Sequence, residues 1–349
     1  MFWILHAIFL REGQLAAERL GQSWDALSRS EQWKAGWQHG SRELWRVLCL
    51  IDPVAGFGSL VLMGLTILLG VVRWRMVLCV QGLNLPFGRA AEISLVAHFF
   101  NSFLLGSTGG DLLKAFYAAR ETHHKKTEAV TTVFVDRLIG LLSMLLFACL
   151  MMIPNLSLLS DHGLLRTVSV FIVCMMLGGG LVAGLSFWGG LSRTLPQARA
   201  WLRKLPKGDL LERSLDSCRR FGSEVGFLFR ALVLSMVLNV ICVFQVLVLA
   251  WGLKLDVAAL PLFVIVPIII CISALPITPS GLGVRENLYV LMLSVPAIHV
   301  EATHALSLSL LAYAGSLFWS LVGGIVYVCL KETQHLGEVT RANAPAADT

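Results

Sequence analysis

The stretch Phe100–Phe116, FNSFLLGSTGGDLLKAF, decides how the rest of the chain is read. It lies between apolar runs, yet it places Gly106, Gly109 and Gly110 within five residues and follows them with Asp111 and Lys114. The segment before the glycines, Ala90–Leu105, has 16 residues and carries Glu92, His98 and Asn101. It is short of the roughly 20 apolar residues that cross a bilayer core. The segment after them, Asp111–Lys126, runs into a basic loop. A chain that enters and leaves on the same side makes a re-entrant pair, with its turn near Gly106–Gly110.

The surroundings support a membrane setting. The 349-residue chain is 56% hydrophobic and 14% charged, against about 25% charged residues in soluble domains. Val54–Val72, Val168–Trp188, Ala231–Trp251 and Ala305–Leu330 are the clearest spans, followed by Leu138–Ile153 and Val257–Leu275. The expectation is an all-α polytopic membrane bundle of six to eight hydrophobic segments. A β-barrel is excluded because its strands would alternate at period two. The N-terminal MFWILHAIFLREG lacks a basic n-region and a small-residue cleavage site, so it reads as an inserted or interfacial end, a first helix cut short. Eight scattered cysteines without a CxxC pair read as small buried hydrophobes.

Charge is distributed unevenly around a net +6. Eight Lys or Arg lie between Gly189 and Phe229, and none between Pro154 and Leu165. The positive-inside rule then makes the 189–229 linker, the Lys114–Lys126 segment and the 331–349 tail cytoplasmic. The basic surface would meet anionic lipid headgroups; nucleic acid is not expected as a partner. Residues 1–50 form a separate region in which Trp24, Trp33, Trp37 and Trp45 recur, preceding a 51–330 transmembrane domain. Ser28 with Glu31 is a capping box. The region lies either in the membrane interface or against the bundle.

A second break, LPITPSGLGVREN (Leu275–Asn287), interrupts the C-terminal half with two prolines and two glycines, and Arg285 and Glu286 follow at once. The next apolar segment, Leu288–Val295, is again short. Paired broken segments of this kind point to a substrate site near the membrane midplane. Broken backbone at that depth must be satisfied by protein or by a water-filled cavity, and a helix starting at a break offers N–H groups to phosphate or carboxylate. Asp111, Lys114, Arg137, Arg285 and Glu286 either line a polar cavity and contact a lipid headgroup, or form internal pairs such as Asp111–Arg137 and Arg285–Glu286. Asp136 and Arg137 point about 100° apart on a helix and therefore need different partners. Arg73 and Arg75, at the end of an apolar run, read as reaching headgroups. His299 and His304, five apart with Glu301 between them, lack the HExxH spacing. No metal, cofactor or catalytic motif is expected.

Three ordered blocks, FFNSFLLGSTGGDLLKAFYAAR, AVTTVFVDRLIGLL and PITPSGLGVREN, resemble the signature blocks of the lysylphosphatidylglycerol synthase transmembrane-region family, also called the flippase-like domain family. The resemblance runs from about Val54 to Leu330. It implies a multi-pass bundle of a bacterial or archaeal plasma membrane that moves a modified phospholipid between leaflets. It carries Asn101, Gly109, Gly110 and Asp111 from the first block, Asp136 and Arg137 from the second, and Pro279, Gly281, Gly283 and Glu286 from the third. Lys114 replaces a more usual arginine, Leu104-Leu105-Gly106 replaces LPG, and Ser280 stands where a second glycine is common. The 19 residues after Leu330 hold no aminoacyl-transferase domain, so lysylphosphatidylglycerol synthesis is not expected. The reading is a non-enzymatic flippase or transporter of a polar lipid, with a lipid-modifying transferase as a possible partner. The alternative is a membrane-embedded enzyme, or an accessory subunit of one, acting on lipid-linked substrates.

Overall fold

A computed structural model describes residues 2–19, 24, 27–103, 109–121, 126–187, 221–275, 278 and 281–342. Every regular element among them is helical. In chain order these are α1 (Phe2–Arg19), α2 (Arg29–Cys49), α3 (Pro53–Val80), α4 (Phe87–Phe103), α5 (Gly109–Glu121), α6 (Lys126–Met152), α7 (Leu156–Asp161), α8 (Gly163–Phe187), α9 (Val225–Gly252), α10 (Ala259–Ser273), α11 (Val284–Leu293) and α12 (Ala302–Ala342). Five stretches are long and apolar enough to cross a bilayer: Pro53–Val80, Thr127–Asp161, Gly163–Gly184, Val225–Gly252 and Ala302–Cys329.

Helix α3 begins with Pro53 in its first turn after Asp52, a position where the missing N–H costs nothing. It packs antiparallel to α9. The Asp52 N–H donates to the Gly252 carbonyl at 3.0 Å, Gly58 lies against Val248, and Arg73 reaches Ser235. The end where Asp52 meets Gly252 is called the first face, and the end where Gln81–Pro86 joins α3 to α4 the second face.

The two short helix pairs enter from opposite faces. Helix α4 leaves the second face and α5 returns to it. Arg89 near the start of α4 binds Glu121 at the end of α5 at 2.7 Å, while at the tip the Gly110 N–H donates to Asn101 Oδ1 at 2.8 Å. Helix α12 runs antiparallel to α4, with Leu95 against Gly323, and Ser320 and Ser316 meeting Phe99 and His98. It therefore starts at the first face. Helix α11 precedes that start and α10 follows the Leu253–Ala258 turn at the first face, so the α10–α11 pair dips from the first face.

Helix α12 measures the depth of both dips. Arg285 of α11 lies over the ring of Tyr313, and His98 of α4 contacts the Ser316 carbonyl at 3.2 Å. Three residues correspond to about 4.5 Å along a helix. Tyr313 is near the middle of the Ala302–Cys329 span, so the two breaks share one depth from opposite sides.

Several expectations change. Val257–Leu275 is not a span: α10 ends at Ser273, because the residue before a proline is pushed out of the α region and Pro276 follows Leu275. The 189–229 linker ends earlier than its composition suggests, since Val225 already opens α9 and Phe221 is buried; residues 188–220 lie outside the described residues. The tail is helical as far as Ala342, as a continuation of α12. The Ser28–Glu31 capping box forms. Helices α1 and α2 pack together and onto the bundle: Ile8 and Phe9 form a buried cluster with Leu306, and Thr303 donates to Glu12. Trp33 and Trp45 stay exposed.

Candidate functional site

The first group of site residues is built by α3, α5, α6 and α9. Arg73 extends from α3 into the bundle, where Nε donates to Asp136 Oδ1 at 2.8 Å and Nη1 to Ser235 Oγ at 3.2 Å. This corrects the expectation that Arg73 reaches headgroups. Helix α3 continues to Val80, placing Arg73 about 10 Å inside its end, where Asp136 and Ser235 take its guanidinium. Arg75 points the other way, with Nε donating to the Leu85 carbonyl at 3.2 Å and its guanidinium over the Phe87 ring.

Asp136 has a second cation. Lys114 Nζ lies 3.5 Å from Asp136 Oδ2 and 4.2 Å from the centre of the Trp74 ring. Both ionic side chains are about nine-tenths buried. Two cations thus hold one carboxylate, with Lys114 also lying over the Trp74 indole and Arg73 also donating to Ser235. Removing one partner of such a buried network leaves an uncompensated charge.

One residue further along α6 the environment opens. Arg137 Nε donates to Asp111 Oδ2, with Arg137 48% and Asp111 22% exposed. Asp136 and Arg137 therefore have separate partners, and Asp111 answers Arg137. Arg137 sits about 16 Å from the start of α6 at Lys126, from eleven residues at 1.5 Å each. Ionic groups at such depth usually face an interior cavity or one another.

Gly110 holds the tip of this dip closed. A Cβ there would lie 1.9 Å from the Ala97 carbonyl oxygen and 2.7 Å from Asn101, so only glycine lets α5 approach α4 this closely. Gly109 is the first residue of α5, and residues 104–108 lie outside the described residues.

The second group lies at the α10–α11 break. Gly281 and Gly283 have φ of 69° and 87°, which glycine adopts without strain. Glu286 is fully buried and spends both oxygens internally: Oε2 accepts the Gly283 N–H at 2.6 Å, and Oε1 accepts Arg285 Nη2 at 2.6 Å. It caps its own helix and pairs with its neighbour. The Arg285 guanidinium lies 4.4 Å from the centre of the Tyr313 ring, a cation–π arrangement. Pro279 lies outside the described residues.

Sequence reasoning did not assign Arg73, Trp74, Ser235 or Tyr313 to these sites. Only Arg73 carried a signal, as a charge inside an apolar run; the others are ordinary residues whose partners lie far away in the chain. His304 Nδ1 lies 3.4 Å from Glu301, and no group of three metal-ligating side chains occurs among the described residues.

Membrane-length helices, two opposed helical dips and ionic groups gathered at their tips define a polytopic α-helical membrane protein. The chain belongs to the family of the lysylphosphatidylglycerol synthase TM region, which matches residues 32–324. Over 323 residues it is 24% identical to the UPF0104 membrane protein of Methanothermobacter thermautotrophicus (strain Delta H), covering 80% of this chain and 90% of that protein.

Proposed function

We propose that this protein is a non-enzymatic flippase or transporter that moves a polar lipid between leaflets, with the headgroup passing the tips of the two dips and the acyl tails remaining in the bilayer. The observation that carries this reading is the half-exposed Asp111–Arg137 pair at mid-membrane depth. A charge left open there is costly unless it serves a hydrated path. Its largely buried neighbours, Asp136, Arg73 and Lys114, fix the backbone that presents it. Entry of the dips from opposite faces suits alternating access, because each tip closes the path from one side.

On this reading the second face is cytoplasmic by the positive-inside rule, in a bacterial or archaeal plasma membrane. The C-terminal end of α12 is then cytoplasmic, and the basic 189–229 segment meets anionic headgroups. A lipid-modifying transferase is the partner such a transporter would serve. The test is reconstitution of the purified protein into liposomes with fluorescent phospholipids and lipid-linked sugars. Translocation of at least one lipid above empty vesicles is expected; none for any candidate would contradict the proposal for those lipids.

A further inference from the structure

The two dips differ in what their polar atoms have left to offer. In the first, both carboxylates are engaged by cations: Asp136 by Arg73 and Lys114, Asp111 by Arg137. In the second, Arg285 Nε, Ser273 Oγ and Thr278 Oγ1 are buried and make no hydrogen bond among the described residues. The three belong to one structure. Ser273 ends α10 and lies against Gly281, whose N–H donates to the Thr278 carbonyl, and Arg285 follows one helical turn later. Ser309 Oγ, fully buried on α12 one turn before Tyr313, is also unbonded. Buried donors without partners are rare and costly. Three of them belong to this one break.

Resting on the transport reading above, we propose that the α10–α11 break is a subsite for the phosphodiester of the lipid headgroup, held by Arg285 Nε and the hydroxyls of Ser273 and Thr278. The remaining groups are a guanidinium N–H and hydroxyls, the donors that suit a phosphate oxyanion. The one carboxylate nearby does not oppose an anion, since Glu286 directs both oxygens inward. The guanidinium lies over the Tyr313 ring and Glu286 holds Nη2, so the buried Nε–H is the guanidinium donor left without a partner. At the break itself the Arg285 charge is balanced by Glu286, so donors without surplus positive charge suit a phosphodiester monoanion better than a dianionic phosphate or a diphosphate.

The test uses the full-length protein in detergent with native mass spectrometry. Three ligands are compared: phosphatidylglycerol, a glucosyl-diacylglycerol with the same chains and no phosphate, and inorganic phosphate. Wild type is expected to hold phosphatidylglycerol about tenfold more tightly than the glycolipid, the factor that one charge-assisted hydrogen bond supplies. Arg285→Lys keeps the charge but loses the Nε donor, and should erase that preference. The isosteric Thr278→Val should reduce it with the fold unperturbed, so the proposal remains testable if Arg285→Lys fails to fold. Equal retention of both lipids by wild type overturns the subsite, as does full preference in Thr278→Val and any folded Arg285→Lys. Displacement of phosphatidylglycerol by millimolar inorganic phosphate overturns the lipid as its ligand. A wild type that shows the preference but moves no lipid in vesicles sinks the transport reading alone. Translocation by variants with undiminished preference sinks the subsite alone.

Discussion

Arg73 and Asp136 are 63 residues apart in the chain and 2.8 Å apart in the structure. They join α3 to α6 deep in the apolar bundle, and Lys114 brings α5 to the same carboxylate. This junction fixes the returning arm of the first dip against two full spans, and so fixes where Asp111 stands.

Neutralising the junction leaves Arg73 and Lys114 facing each other without a counterion. Asp136→Asn is expected to cost about 3–5 kcal/mol of stability, the usual penalty for orphaning buried charge. Adding Arg73→Gln should restore part of it, because one of the two unpaired cations is then gone. Unfolding in mixed micelles titrated with sodium dodecyl sulfate measures both variants.

The tip of the first dip tolerates no side chain at position 110. A methyl there would meet the Ala97 carbonyl oxygen at 1.9 Å, so Gly110→Ala must separate α4 from α5 and break the Gly110–Asn101 hydrogen bond. Overpacking of this kind costs about 1–3 kcal/mol or more. The same unfolding measurement should show that loss, and proteolysis should reveal new cleavage between α4 and α5.

Glu286 does two jobs, and two substitutions separate them. Glu286→Gln keeps an oxygen for the Gly283 N–H but turns an amide donor toward Arg285 Nη2; the expected loss is about 1–3 kcal/mol. Glu286→Ala removes both acceptors at a fully buried position and orphans the guanidinium, with an expected loss of about 3–5 kcal/mol. Equal losses for the two would mean that the cap on the Gly283 N–H contributes nothing beyond the pairing with Arg285.

Sidedness is open to direct labelling. In a cysteine-free background, Asn84→Cys on the second face and Asp161→Cys at the end of α7 are both at exposed positions. In intact cells, a membrane-impermeant maleimide should label position 161 and leave position 84 until the cells are lysed. The reverse pattern would invert the orientation proposed from the basic segments.

The spans were legible in the sequence because bilayer thickness imposes a run length on any apolar helix. The breaks were legible because glycine and proline act through the local backbone, as at Gly283 and ahead of Pro276. Partnership was not legible. Nothing near Arg73 in the chain indicates Asp136 or Ser235, and a charge near the end of an apolar run looks like one that reaches headgroups until the helix is seen to continue to Val80. The opposed entry of the two dips was hidden for a similar reason: it depends on the direction of α12, which only its contacts with α4 reveal. The α10 segment misled because composition counts apolar residues on both sides of a backbone break.

The central claim is that the Asp111–Arg137 pair serves lipid movement rather than packing, and a paired measurement on one pair of variants tests it most directly. Because the pair is partly exposed, its direct contribution to stability is small, about 1 kcal/mol or less. Asp111→Ala and Arg137→Ala should therefore insert and unfold nearly as wild type does, yet translocate no fluorescent lipid above empty vesicles in the liposome assay. Wild-type translocation rates in both variants would contradict the account.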